Sequence, residues 1–217
     1  MSALEQRLVA VFGNADARTE PFAHWLLSDV LPDEIAAGVL DLPFAPPRIG
    51  DTFGKRETNN ATRTFFCEAN RARFAVCEDL AAAFQSEAVV GALSALTGKP
   101  LAGTSLRIEY CQDTDGFWLE PHTDIGVKRF TMLIYLSKNP QAAHWGTDIY
   151  DGERRHAGSA PGEFNRGLIF VPGSDTWHGV EKRSFDGVRH SLIVNYVGPE
   201  WRTHSELAYP ETPVTAS

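Results

Sequence analysis

Glu120-Pro121-His122-Thr123-Asp124 sets an imidazole and a carboxylate two residues apart. In an extended segment such residues share a face, so His122 and Asp124 can hold one cation together while Thr123 points away. A second imidazole, His178, stands between Trp177 and Gly179 at the start of a strand-like run, with enough chain after Asp124 for several barrel strands. Two imidazoles and one carboxylate can cover one face of Fe(II). Three coordination positions are then left for a chelating co-substrate and for O2. Taken singly, an HxD triplet or one histidine also occurs in turns and on surfaces. The ordered set carries the chemistry.

The set continues with Arg189-His190-Ser191 inside the apolar run Val188–Val197. By alternation Arg189, Ser191, Ile193 and Asn195 share one face, and His190, Leu192, Val194 and Tyr196 the other. An inward arginine is costly inside a barrel unless it meets an anion. Arg189 therefore reads as a bidentate clamp for a carboxylate, with the Ser191 hydroxyl beside it. His190 faces away, which makes it a poorer metal ligand than His178.

These groups need a scaffold of strands. From Leu101 onward the runs Thr104–Tyr110, Arg129–Ser137, Thr147–Tyr150, Gly167–Val171, Thr176–Val180 and Val188–Val197 are short, rich in β-branched and aromatic residues, and punctuated by Gly, Pro, Asp and Asn. Before Gly98 the signals are mainly helical. Phe22–Asp29 reads as an edge strand. Pro32 with Asp33 and Glu34 opens a helix to about Leu40, and Pro43-Phe44-Ala45-Pro46-Pro47 stops it. Gly50–Thr62 reads as a loop, and further helices are expected over Arg71–Phe84 and Glu87–Leu96, ended by Gly98-Lys99-Pro100. The fold class is thus α+β, mainly β: a jelly roll (double-stranded β-helix) with N-terminal helices packed on one sheet. One domain is expected over 1–217, with a helical preface at 1–100, the jelly-roll core at 101–198 and a tail at 199–217.

The 217 residues suffice for one buried core, and 43% hydrophobic with 22% charged residues argues against disorder. A formal charge of −8 repels phosphate backbones and anionic lipid, so neither nucleic acid nor membrane is an expected partner. No segment approaches the roughly 18 consecutive apolar residues of a membrane helix. The start Met1–Arg7 carries an early acid and no long apolar core, so no secretory signal is expected. Cys67, Cys77 and Cys111 form no CxxC pair and read as reduced thiols of a cytoplasmic protein.

In this order the residues resemble the 2-oxoglutarate- and Fe(II)-dependent oxygenases, and within them the prolyl-4-hydroxylase-like branch. The resemblance covers roughly residues 104–197, and more faintly the stretch from Phe22-Ala23-His24-Trp25 through Leu31-Pro32-Asp33-Glu34. It implies that His122, Asp124 and His178 are the iron ligands and catalytic centre. It also implies that Arg189, in the family's RxS form with Ser191, holds the far carboxylate of 2-oxoglutarate. Arg129–Ser137 looks like the family's T-x-L-x-Y-L strand, which makes Tyr135, with Thr131 on the same face, a co-substrate candidate. Tyr110 stands where the family often places a Tyr facing the iron pocket. Asn165–Pro172 is similar to the strand leading into the distal His. Trp145–Tyr150 is similar to the G-G-x-L strand, with Thr147 in place of the second Gly. The implied reaction is hydroxylation with O2, releasing succinate and CO2, with ascorbate as an accessory reductant. Asp124 separates the chain from related halogenases, which lack this carboxylate. The substrate is peptidyl or a small molecule, and Gly50–Thr62 and Gln112–Trp118 are the loops expected to choose it. The sequence does not report oligomeric state.

Two other classes stay open. One is a non-catalytic metal- or ligand-binding jelly roll; the other is a cupin-type enzyme that uses a divalent metal without 2-oxoglutarate. Arg189 separates them, because only the oxygenase requires a buried cation beside the iron. Arg189 could instead pair with Glu181 or Asp186 at the surface. Thr131 and Tyr135 could be core residues with satisfied hydroxyls, and Tyr110, Trp118 and Trp177 ordinary packing. His144 and His156 read as surface positions.

Overall fold

The computed structural model describes residues 1–55 and 63–215. Residues 56–62 of the expected loop and the last two residues of the tail lie outside the described residues. The helices are α1 (Ala3–Gly13), α2 (Asp33–Leu40), α3 (Glu68–Arg73), α4 (Ala75–Gln85) and α5 (Glu87–Thr97). The strands are β1 (Asp16–Arg18), β2 (His24–Leu27), β3 (Thr64–Phe65), β4 (Ser105–Asp113), β5 (Leu119–His122), β6 (Lys128–Tyr135), β7 (Asp148–Tyr150), β8 (His156–Ser159), β9 (Arg166–Phe170), β10 (His178–Val180) and β11 (Arg189–Val197).

Helix α1 goes beyond the sequence reading, although its signals are local. Ser2 caps it by accepting from the Glu5 N–H at 3.2 Å, and Leu4, Leu8, Val11 and Phe12 are buried at helical spacing. Helix α5 is capped in the same way by Ser86 and closes on Gly98 in the left-handed conformation, φ 67°. The single helix expected over Arg71–Phe84 is instead α3 and α4. Phe74 between them is extended, φ −128° and ψ 115°, and its ring packs edge-on to Phe44 at 5.4 Å.

All strand pairing is antiparallel. A seven-stranded sheet runs β1-β2-β9-β6-β11-β4-β3, and a four-stranded sheet runs β5-β10-β7-β8. This is the expected jelly roll with helices on one sheet. β2 is not the edge, however: the fully exposed β1 pairs outside it. The strand expected over Thr176–Val180 begins only at His178.

Alternation divides the large sheet into two faces. Leu106, Ile108, Phe130, Met132, Ile134, Leu192, Val194 and Tyr196 face the helices and pack with Leu80, Phe84, Val89, Val90 and Leu93. Cys111, Leu133, Tyr135, Leu168, Phe170 and Ile193 face inward and meet Ile149 of the small sheet. Among the described residues no single helix is long and apolar enough to cross a membrane. The pair α4 and α5, bent by 56°, passes on length and composition only, and supplies core residues here. Phe84→Ala should empty the layer between α4 and the sheet and cost roughly 3–5 kcal/mol by chemical denaturation. A loss below about 1 kcal/mol would contradict this account of the core.

Candidate metal and co-substrate site

His122 ends β5 and His178 begins β10, and the antiparallel pairing sets them directly opposite each other. Their rings lie 4.4 Å apart by centroid. Gly179 permits this close pairing: a Cβ there would fall 2.7 Å from the Leu119 carbonyl oxygen. The Nδ1 of His122 lies 2.8 Å from the Glu120 carbonyl, and that of His178 lies 2.9 Å from the Thr176 carbonyl. A carbonyl only accepts, so each Nδ1 carries the proton and each Nε2 is left with a lone pair for a metal.

Asp124 lies just beyond β5, so strand alternation alone does not place it. Two hydrogen bonds do. Lys128 Nζ donates to Oδ1 at 2.6 Å and Thr131 Oγ1 donates to Oδ2 at 2.7 Å. One ligand atom each from His122, Asp124 and His178 lies within 4.8 Å of the other two. Burial by itself would raise the Asp124 carboxyl. The Lys128 ammonium, the His178 ring and the two hydrogen bonds outweigh it and hold the group well below the usual carboxylate range. Burial pushes His178 down to about 4, with Asp124 opposing and His122 adding to the shift. At neutral pH His178 is therefore a neutral imidazole and Asp124 an ionised carboxylate, the protonation states a divalent ion requires.

A second cluster, Asp148, His156 and Glu181, has ligand-like spacing. There the Arg183 guanidinium already pairs with the buried Asp148 carboxylate, which also accepts from Ser159 Oγ and the Glu181 N–H. A protein cation fills the role an ion would take. His156 is exposed at its rim, as is His144, in line with the surface reading.

Arg189 is 1% exposed and turns inward from the first residue of β11. Nη1 donates to Asp113 Oδ2 at 2.7 Å and Nε donates to the Trp145 carbonyl at 2.6 Å. Its partner is thus Asp113, not Glu181 or Asp186. Nη2 is buried without a partner among the described residues, and so is the Ser191 hydroxyl two residues along the same face. Buried donors are rarely left unpaired. These two mark a place for an acceptor ligand. A cavity of about 640 Å³ joins the two ends of the site: His122, Asp124 and His178 line it together with Leu133, Thr147, Arg189 and Ile193.

The other expected residues fall differently. Tyr135 lies beneath Arg189, with Cζ 5.7 Å from its ring centre, but its hydroxyl donates to Thr147 Oγ1 at 2.8 Å and accepts from the Thr147 N–H at 3.2 Å. Thr147, the departure from the glycine pair, thus holds the Tyr135 hydroxyl. Thr131 is bonded to Asp124 and lies at the metal end. Tyr110 does not face the cavity lined by His122, Asp124 and His178. It pairs with Leu192 on the helix-facing side of the sheet, and its hydroxyl meets His190 Nδ1 at 2.7 Å. The cause is alternation: Leu106, Ile108 and Tyr110 share one face of β4, and Arg107, Glu109, Cys111 and Asp113 the other. Trp118 Nε1 donates to Asp51 at 2.6 Å, and Arg154 lies over the Trp177 ring at 4.2 Å, both local contacts. The expected specificity loop at Gln112–Trp118 begins inside β4.

The sequence reading missed Asp113, Lys128, Asn195 and a charged wall of the cavity made by Arg63, Arg107, Glu109 and Glu206. In the wall, Glu109 Oε2 receives Arg63 Nη1 at 3.1 Å and Arg107 Nη2 at 3.2 Å, and Arg107 Nε donates to Glu206 at 2.7 Å. The available signal was the alternating Arg107-Ile108-Glu109, which puts two charges on the face shared with Cys111 and Asp113.

No family model matches the chain, and no curated protein matches it. Solved structures do. A Pseudomonas putida prolyl-4-hydroxylase superposes with a TM-score of 0.60 at 13% identity, over 88% of this chain and 98% of that one. A prolyl 4-hydroxylase of Phytophthora capsici gives 0.58 at 14%, over 91% of this chain, which spans 65% of that protein. A prolyl hydroxylase from Trichoplax adhaerens, in complex with a peptide fragment of the hypoxia inducible factor oxygen degradation domain, gives 0.54 at 13%, over 89% of each chain. The chain therefore has the jelly-roll fold of these prolyl hydroxylases.

Proposed function

We propose that the chain is a Fe(II)- and 2-oxoglutarate-dependent dioxygenase that hydroxylates a peptidyl or small-molecule substrate, with succinate and CO2 as co-products. The observation that carries this reading is the pair of buried donors unpartnered among the described residues, Arg189 Nη2 and Ser191 Oγ, on one face of β11, with Arg189 lining the same cavity as His122, Asp124 and His178. A metal-binding jelly roll without 2-oxoglutarate has no use for that pair. The donor set fits the group: two imidazole nitrogens and a carboxylate suit ferrous iron, and an open guanidinium edge with a hydroxyl suits a carboxylate.

When bound, Fe(II) with 2-oxoglutarate and O2 supplies the oxidation of a C–H bond coupled to decarboxylation of the co-substrate. The protein contributes position and exclusion of water. His122 and His178 present Nε2 because backbone carbonyls hold their Nδ1 protons. Asp113 and the Trp145 carbonyl fix the Arg189 fork, so that Nη2 and Ser191 Oγ receive the far carboxylate without reorganisation. Leu133 and Ile193 form the dry floor between the two ends. The charged wall of Arg63, Arg107, Glu109 and Glu206 favours a substrate with hydrogen-bonding groups over a wholly apolar one. The peptide bound to the Trichoplax enzyme supports a peptidyl substrate. The three cysteines, present as thiols, fit a reducing cytoplasm, which is part of the same proposal.

Succinate release, assayed with Fe(II), 2-oxoglutarate, ascorbate and pooled peptides or polar metabolites, should be Fe(II)-dependent and abolished by His178→Ala. Undiminished release from that variant would sink the assignment. Ser191→Ala should weaken 2-oxoglutarate binding about tenfold, the loss of one hydrogen bond to a charged group, with an unchanged melting temperature. Unaltered affinity would place the carboxylate elsewhere. Tyr110→Phe should leave both iron and 2-oxoglutarate binding as they are. A tenfold loss of either would return Tyr110 to the pocket.

A further inference from the structure

Asn195 is a fully buried amide on the inner face of β11, a place where an aliphatic side chain would avoid the cost of burying polar atoms. Its neighbours in register are Arg107 on β4 and Thr131 on β6. All three side chains share a face and are hydrogen-bonded in a row. Arg107 Nη1 donates to Asn195 Oδ1 at 3.2 Å. Asn195 Nδ2 donates to Thr131 Oγ1 at 2.9 Å and to the Phe130 carbonyl at 3.3 Å. Thr131 Oγ1 donates to Asp124 Oδ2 at 2.7 Å.

The polarity of the row is fixed at both ends. A guanidinium only donates, so the amide oxygen must face Arg107 and the amide nitrogen must face Thr131. An ionised carboxylate only accepts, and Thr131 has a single proton. Because Asn195 fills the acceptor side of the Thr131 hydroxyl, that proton goes to Asp124. Arg107 is itself immobilised. Glu206 and Glu109 take Nε and Nη2, and Phe65 and Trp201 cover the guanidinium, with Cζ 4.7 and 5.0 Å from their rings.

We propose that Asn195 is a positioning residue for the metal centre, acting through Thr131 to hold the Asp124 carboxylate in its ligating orientation, with Arg107 as the anchor of the row. The proposal rests on the reading of His122, Asp124 and His178 as metal ligands. Without the Asn195 amide, the Thr131 hydroxyl loses the donor that fills its acceptor side, its proton is no longer directed to Asp124 alone, and Asp124 gains freedom to turn.

The test is Mn(II) binding to the full chain, followed by the loss of the free-ion electron paramagnetic resonance signal, which needs neither substrate nor turnover. Thr131→Val should weaken Mn(II) on the order of tenfold, as does removal of a group that orients a ligand, while Thr131→Ser should keep wild-type affinity. Asn195→Leu, which is neutral and of similar volume, should weaken it roughly three- to tenfold. Asn195→Ala serves if the larger side chain is not accommodated. The decisive arm is the double variant: adding Asn195→Leu or Asn195→Ala to Thr131→Val should cost nothing more, because both act through one proton. Additive losses would overturn the proposal, as would wild-type affinity in the Asn195 variants while His178→Ala abolishes Mn(II) binding. Mn(II) affinity unaffected by His178→Ala would remove the metal-centre reading itself.

Discussion

The site depends on the two-residue alternation of β11, held in register between β4 and β6. One face of that strand carries Leu192, Val194 and Tyr196 into the helical layer. The other carries Arg189, Ser191, Ile193 and Asn195 inward, and Arg189 and Ile193 line the cavity. A slip of one residue would bury the cation among leucines and turn the apolar row towards the metal centre. The hydrophobic layer therefore does more than stabilise the fold: it fixes which side chains address the ligand. The same constraint acts on β4, where Leu106, Ile108 and Tyr110 pack outward and Arg107, Glu109 and Asp113 point in.

Charge inside this cavity is kept in balanced groups. Asp113 faces Arg189, Lys128 faces Asp124, and Glu109 and Glu206 face Arg63 and Arg107. An isolated buried ion would be costly, and a pair is tolerated when its remaining donors are satisfied. Arg189 departs from that rule by one nitrogen, and Ser191 by one hydroxyl. These two open donors, in a site that pairs so many of its charges, are what the proposed carboxylate would use. Asp113 has a cost in this scheme, since it offsets part of the Arg189 charge. In return it locks the fork in the orientation that the ligand must meet.

Much of this was legible in the sequence because it follows from local rules. The ordered residues His122, Asp124, His178 and Arg189 line one cavity, Ser191 lies on the Arg189 face of β11, and the face assignment along Val188–Val197 needed only alternation. The same rule, applied to Ser105–Asp113, would have turned Tyr110 away from the pocket. Its placement by resemblance set that pattern aside. Thr131 and Tyr135 lie on the expected face, but hydroxyl partners depend on what stands opposite, and Asp124 and Thr147 reach them from loops whose path no periodicity encodes. The break at Phe74, whose ring packs on Phe44, is a tertiary feature that the helical pattern does not encode. The anchoring of Asp124 by Lys128 and Thr131 was hidden for the same reason: it depends on the chain leaving the strand after His122.

The central claim is that one cavity holds iron at His122, Asp124 and His178 and 2-oxoglutarate between that iron and Arg189. The most direct measurement is an anaerobic titration of 2-oxoglutarate into the Fe(II)-loaded protein, followed by the visible metal-to-ligand charge-transfer band of the chelated co-substrate. The account predicts a band that saturates at one equivalent, is absent without Fe(II), and is lost in His178→Ala. Saturable 2-oxoglutarate binding with no such band in the Fe(II)-loaded protein would mean that the two ligands occupy separate sites, and would contradict it.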